Sequence, residues 1–65
     1  METYTTINNV IGEYVVNALG TEANNYDMKA IAQEIAEYQP ELNGFTINED
    51  NFDFWEVATR HELQA

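Results

Sequence analysis

The sequence predicts a compact, mainly α-helical small domain of three helices, with a short extended segment or hairpin near residues 45–54 that makes α+β the alternative. Three observations predict it. Two stretches repeat their apolar residues at helical spacing, each behind a capping residue. A third, from Asn48 to His61, sets acids before and among large aromatics and closes on the only arginine. The chain has 65 residues and no cysteine, enough for one domain (1–65) with a marginal core and no disulfide to staple it. A hydrophobic content of 45% suits a folded domain rather than an acidic disordered tail.

The first helix is expected near 6–19. Ile7, Val10, Ile11, Tyr14, Val15, Ala18 and Leu19 share one stripe, and Asn8, Asn9, Glu13 and Asn17 take the wet side. Thr5 or Thr6 caps its start, and Gly20 ends it in a left-handed conformation. Gly12 in its middle costs about 1 kcal/mol against alanine, or marks a close helix crossing.

The second helix is expected near 27–38, with Asp27 as its N-cap. Its stripe is Met28, Ile31, Ala32, Ile35 and Tyr38, widened by Ala30 and Ala36, with Glu34 and Glu37 outward. Pro40 disfavours the α conformation at Gln39 and stops the helix. Asn43-Gly44 signals a turn, and Phe45-Thr46-Ile47 a short extended piece.

The third helix is expected near 51–62. Its acids in the first turn and Arg60-His61 in the last suit the helix dipole. Phe52, Trp55 and Ala58 recur at spacings of three, overlapping a second set of Phe54, Val57 and Ala58. The rival is a hairpin pairing Phe45 and Ile47 with Phe52 and Phe54. Residues 56–63 do not continue that alternation, and their composition favours the helix.

The residue inventory excludes much chemistry. The chain has no serine and no cysteine, so triads built on those nucleophiles are ruled out. One histidine and no cysteine exclude an ordinary structural zinc site. An EF-hand loop starting at Asn48 fails at Phe52 and lacks the central glycine. There is no glycine-rich phosphate loop, and Lys29 and Arg60 cannot form a basic patch for direct nucleic-acid binding. His61 beside Glu62 reads as a dipole partner at a helix end rather than an acid–base pair. The expectation is a protein that is not an enzyme, with no metal and no cofactor. No basic, apolar leader opens the chain and no apolar run approaches the ~20 residues of a membrane span, so a cytoplasmic location is expected.

Twelve acids against two bases give a net charge of -10. Solubility of a small domain needs a magnitude of only about 2–8. The excess repels nucleic acid and anionic membranes and attracts basic surfaces, which are commonly built to hold nucleic acid. Glu49, Asp50, Asp53 and Glu56 form the densest group, with Glu34 and Glu37 as a second row, and these six are the expected partner-binding residues. Rows of carboxylates on adjacent helices approximate a phosphate array. Phe54 and Trp55 are the candidate aromatic anchor; Trp55 is assigned to the core in preference, and Phe54 is left open between core and interface.

In size, charge and composition the chain resembles small acidic inhibitors from phage and mobile elements, notably anti-CRISPR proteins and other DNA mimics. The resemblance rests on the acids just named and on no diagnostic motif, and such inhibitors share no common fold. It implies a partner with a basic DNA- or RNA-binding groove, namely a CRISPR effector subunit in the host cytoplasm, including the subunit that reads the PAM. The chain itself would be a monomer or weak homodimer. The competing reading is an acidic interaction module or antitoxin-like regulator that masks a basic partner through its aromatic patch.

Overall fold

The structure, a computed structural model, describes residues 3–63. These residues form three helices around one apolar core, with a small three-stranded antiparallel sheet. The domain is mainly α, and the sheet supplies its β part. Chain order is β1 (Thr3–Tyr4), α1 (7–19), a 3₁₀ segment (Gly20–Asn25), α2 (Met28–Ile35), β2 (Ala36–Gln39), β3 (Gly44–Ile47), a 3₁₀ turn (Glu49–Asn51) and α3 (Phe54–Arg60).

Thr6 caps α1, its hydroxyl oxygen accepting from the Asn9 amide at 3.2 Å. The helix is not α throughout. Ile7–Val10 and Val16–Leu19 are α, but Ile11–Val15 is a π turn, and the Val16 amide donates to the Ile11 carbonyl five residues back. A π turn brings residues five apart onto one side. Val10 and Val15 are therefore both fully buried, followed by Leu19, while Ala18 is exposed although an unbroken α stripe would hold it inward. Gly12 lies in the π turn with open space around it, so it marks no helix crossing. Gly20 ends the helix at φ 65° and ψ -137°, a positive-φ conformation but not the left-handed helical one that the sequence predicts.

Asp27 caps α2, accepting from the Ala30 amide at 3.2 Å, and Ile31, Ala32 and Ile35 are buried. The helix stops at Ile35, three residues earlier than the periodicity predicts. Ala36 turns extended, and Ala36–Gln39 pairs with β3. The reason is non-local. Phe45, Thr46 and Ile47 are β-branched or aromatic and need a partner strand, and Pro40 already biases Gln39 toward extended backbone. Tyr38 consequently sits half exposed opposite Phe45, their rings edge to face at 5.4 Å, rather than in the core. The hairpin is thus 36–39 with 44–47; Phe52 and Phe54 take no part in it.

β3 is the central strand, with β1 on its other side in the register Thr3 to Thr46 and Tyr4 to Phe45. Tyr4 and Ile47 point into the core. Thr46, on the opposite face, is buried and accepts from the Gln39 side chain at 3.3 Å. Asn43 closes the turn at φ 54°, a conformation asparagine tolerates better than most residues. Gly44 is required by proximity: a Cβ there would lie 2.7 Å from the Tyr4 carbonyl oxygen. After α3 the chain returns to α2, with the Asp27 amide on the His61 carbonyl at 2.9 Å and Leu63 on Asn25 at 2.8 Å.

The two glycines should therefore respond oppositely to alanine. Gly44→Ala must force β1 away from β3 and should cost about 1–3 kcal/mol. Gly12→Ala meets no atom within 4 Å and should stabilise the helix by about 0.5–1 kcal/mol. Urea denaturation of both variants checks this; equal effects would contradict the close approach of Tyr4 to Gly44.

Candidate functional site

The acidic segment does not begin as a helix. Asn48 accepts from the Asp50 amide at 3.1 Å and holds Glu49–Asn51 in a 3₁₀ turn. Phe52 is extended, and Asp53 is the N-cap of α3, its carboxylate accepting from the Trp55 amide at 3.1 Å. The expected helix over 51–62 is thus Phe54–Arg60, because asparagine and aspartate side chains bind nearby amides and favour turns and caps over helix interiors. Glu56 lies in the first turn and Arg60 in the last, which suits the dipole.

The face of α3 that carries Val57 and Ala58 decides which aromatic is buried. Val57 and Ala58 face the core, and Phe54, one turn before them, packs against it. Trp55, one residue on, is rotated by about 100° and is 48% exposed. The expected assignment of Trp55 to the core is corrected: Phe54 is the packed ring and Trp55 the surface one. Phe52 is half-buried against the core.

Every carboxylate among the described residues belongs to an exposed side chain. Glu49, Asp50, Asp53 and Glu56 run continuously into α3. Glu34 and Glu37 do not form a second row, since Glu34 is on α2 and Glu37 on β2 opposite Thr46. Nor is Glu34 free. It pairs with Arg60 and accepts a hydrogen bond from the His61 ring at 2.8 Å, tying the end of α3 to α2. His61 therefore has a specific partner as well as a helix end. The His61 hydrogen bond holds the Glu34 carboxyl below its ordinary value; partial burial opposes this and Arg60 adds to it.

Between these groups lies an open groove of about 390 Å³. Its lining combines apolar Phe52 and Val57 with Asn51, Asp53, Glu56 and the Glu34–Arg60 pair. Glu49, Asp50 and Glu37 do not line it.

A second feature runs along the other flank of α3. Four rings meet edge to face in series: Tyr14 with Phe54 at 6.0 Å, Phe54 with Trp55 at 5.6 Å, and Trp55 with Tyr26 at 6.4 Å. Carboxylates stand at both ends. Burial pushes the Tyr14 hydroxyl up, with Glu49 adding to it, and burial likewise raises Tyr26, with Glu62 and Glu22 adding. Periodicity along the sequence does not reveal this strip. Tyr14 carries a helical-stripe signal, but only tertiary packing brings Tyr26 to Trp55.

Two predictions follow from this geometry. Phe54→Ala should destabilise more than Trp55→Ala, about 3 kcal/mol against less than half of that; thermal or urea unfolding orders them. Glu34→Gln should cost under about 1 kcal/mol, since the pair is solvent-exposed. A depressed folded pKa makes that contribution full above the ordinary glutamate value of 4.5 and lost as pH falls through the lowered value. The stability gap between wild type and Glu34→Gln should therefore close in acid, and a gap that persists there would contradict the pairing.

No protein-family model, curated protein or solved structure matches this chain.

Proposed function

We propose that the protein is a non-catalytic inhibitor that occupies the basic nucleic-acid-binding surface of a partner protein, in the manner of anti-CRISPR proteins that mimic DNA. The observation that carries the reading is the uncompensated surface. Among the described residues Glu34 alone has a salt-bridge partner, and that pair consumes the only arginine. Acid side chains elsewhere on the domain face solvent.

Charge density refines the reading. A net charge of -10 on a body 40 Å long is about one charge per 4 Å. A duplex carries one per ~1.7 Å and a single strand one per ~3.4 Å. Spread over every face, the charge stays below the linear density of a duplex, so the reading rests on the local cluster at 49–56 rather than on the whole surface. Glu49, Asp50, Asp53 and Glu56 are the leading contact, with Glu34 and Glu37 as separate, peripheral charges. The target class to test first, a PAM-reading CRISPR effector subunit, comes from the resemblance in size and charge. The half-exposed Trp55 favours a second reading, in which an acidic interaction module masks a basic partner mainly through aromatic contacts.

Competition with duplex DNA for such an effector tests the first reading. Each single change among Glu49→Gln, Asp50→Asn, Asp53→Asn and Glu56→Gln should weaken binding by no more than about fivefold, as exposed pairs contribute ~0.2–1 kcal/mol. The four together should weaken it at least about tenfold and flatten its salt dependence. Asparagine retains the cap at residue 53, so the fold should survive. A folded four-fold variant that still displaces DNA at full strength would remove this segment as the working surface.

A further inference from the structure

We propose that the exposed indole of Trp55, with Tyr26 beside it and Glu62 at its rim, is the docking point for an arginine side chain of the basic partner. This rests on the reading that the partner is basic, and adds which of its residues is read and by what chemistry.

The fold has little use for Trp55. The buried face of α3 is supplied by Phe54, Val57 and Ala58, and Trp55 is left 48% exposed on the flank. Its neighbours meet it at 88° and 70°, so neither lies parallel on the indole. Tyr26 is bridged in antiparallel fashion to Glu62. Directly opposed residues of such a pair project to the same side, which sets the Glu62 carboxylate beside the Tyr26 ring. The upward push that Glu62 and Glu22 give the Tyr26 hydroxyl agrees with that placement. An exposed ring whose aromatic neighbour Tyr26 has a carboxylate beside it is an arrangement that suits a guanidinium. It stacks flat on the ring while its edge donors reach the acid, whereas an ammonium offers a point charge and no plane.

Charge excludes the other occupants of an exposed aromatic. A second copy would bring its own -10 and its own acidic rim against this one. Nucleic-acid bases stack on tryptophan, but their phosphates would face the same carboxylates. An anionic membrane is repelled on the same ground.

Trp55 is the only tryptophan, so its fluorescence reports on this site directly. The probes are oligo-arginine and oligo-lysine peptides of equal length, titrated by fluorescence and by calorimetry at low and high salt. The arginine peptide should bind about fivefold tighter, with a change in Trp55 emission. Trp55→Leu keeps apolar bulk but no ring; by calorimetry it should bind both peptides equally, while Trp55→Phe retains part of the preference. Neutralising Glu49, Asp50, Asp53 and Glu56 together should weaken both peptides and leave their ratio intact. Equal binding of both peptides by the wild-type protein would overturn the arginine assignment and leave the acidic-surface reading standing. So would an arginine preference that survives in Trp55→Leu or disappears with the four carboxylates. Failure of both peptides to bind at low salt would overturn the two readings together.

Discussion

The hydrogen bond from the Trp55 amide to the Asp53 carboxylate sets the register of α3, and the surface follows from that register. A cap at Asp53 makes Phe54 the first helical residue and sends Phe54, Val57 and Ala58 to the core. It leaves Trp55 on one flank and Glu56 with Arg60 on the other, since successive residues rotate by about 100°. It also keeps Glu49 and Asp50 out of the helix, on a turn with a side-chain hydrogen bond of its own. The far end is held separately: Glu34 of α2 engages Arg60 and His61, so α3 is located at both ends by polar contacts on exposed groups.

Those contacts need an apolar base, and a chain of this size has little to spare. The base is drawn from most of the elements: Val10, Val15 and Leu19 from α1, Ala23 from the 3₁₀ segment, Ile31, Ala32 and Ile35 from α2, Val57 and Ala58 from α3, and Tyr4 and Ile47 from β1 and β3. The π turn contributes by keeping Val10 and Val15 on one side and by setting Tyr14 against Phe54. The sheet contributes by closing the core with Tyr4 and Ile47, while on its other face the buried Thr46 has its hydroxyl satisfied by Gln39. Burial is thus achieved without burying a carboxylate, and the charge remains at the surface where solvent and partners meet it.

What the sequence discloses here is what is encoded within a few residues. Thr6 and Asp27 are caps whose partners lie three residues away, Gly20 and Asn43-Gly44 mark backbone conformations, and the stripe from Ile7 to Val15 is local periodicity. What it conceals is decided across the chain. Ala36, Glu37 and Tyr38 continue a helical pattern, yet β3 claims them as a strand, because pairing Ile47 and Phe45 outweighs a weak local propensity. β1 is two residues long and exists only against β3. Ala18 leaves the stripe because one π bond turns the helix beneath it. At the site, the acids of 49–56 are legible as a cluster, but the engagement of Glu34 spans 26 residues to Arg60 and is invisible to spacing. Phe52, Trp55 and Ala58 overlap with Phe54, Val57 and Ala58 in the sequence pattern, and only tertiary packing places Phe54 rather than Trp55 against the core.

The two surface features act over different ranges, and that gives the short helix between them its meaning. Carboxylates act through a field that reaches about 8–10 Å at ordinary salt, and individually they add little to affinity. They raise the rate of encounter with a basic surface and orient it. A half-exposed aromatic acts only at contact, where desolvation makes it the kind of group that slows dissociation. Neither suffices alone: a diffuse acidic coat does not distinguish one basic protein from another, and a lone indole does not recruit one. On α3 the two are one residue apart in sequence, Glu56 after Trp55, and face different flanks. In the complex proposed above, a partner drawn in by the acids of 49–56 would arrive with its cations already near the ring, joining attraction at a distance to selection at contact through a single seven-residue helix.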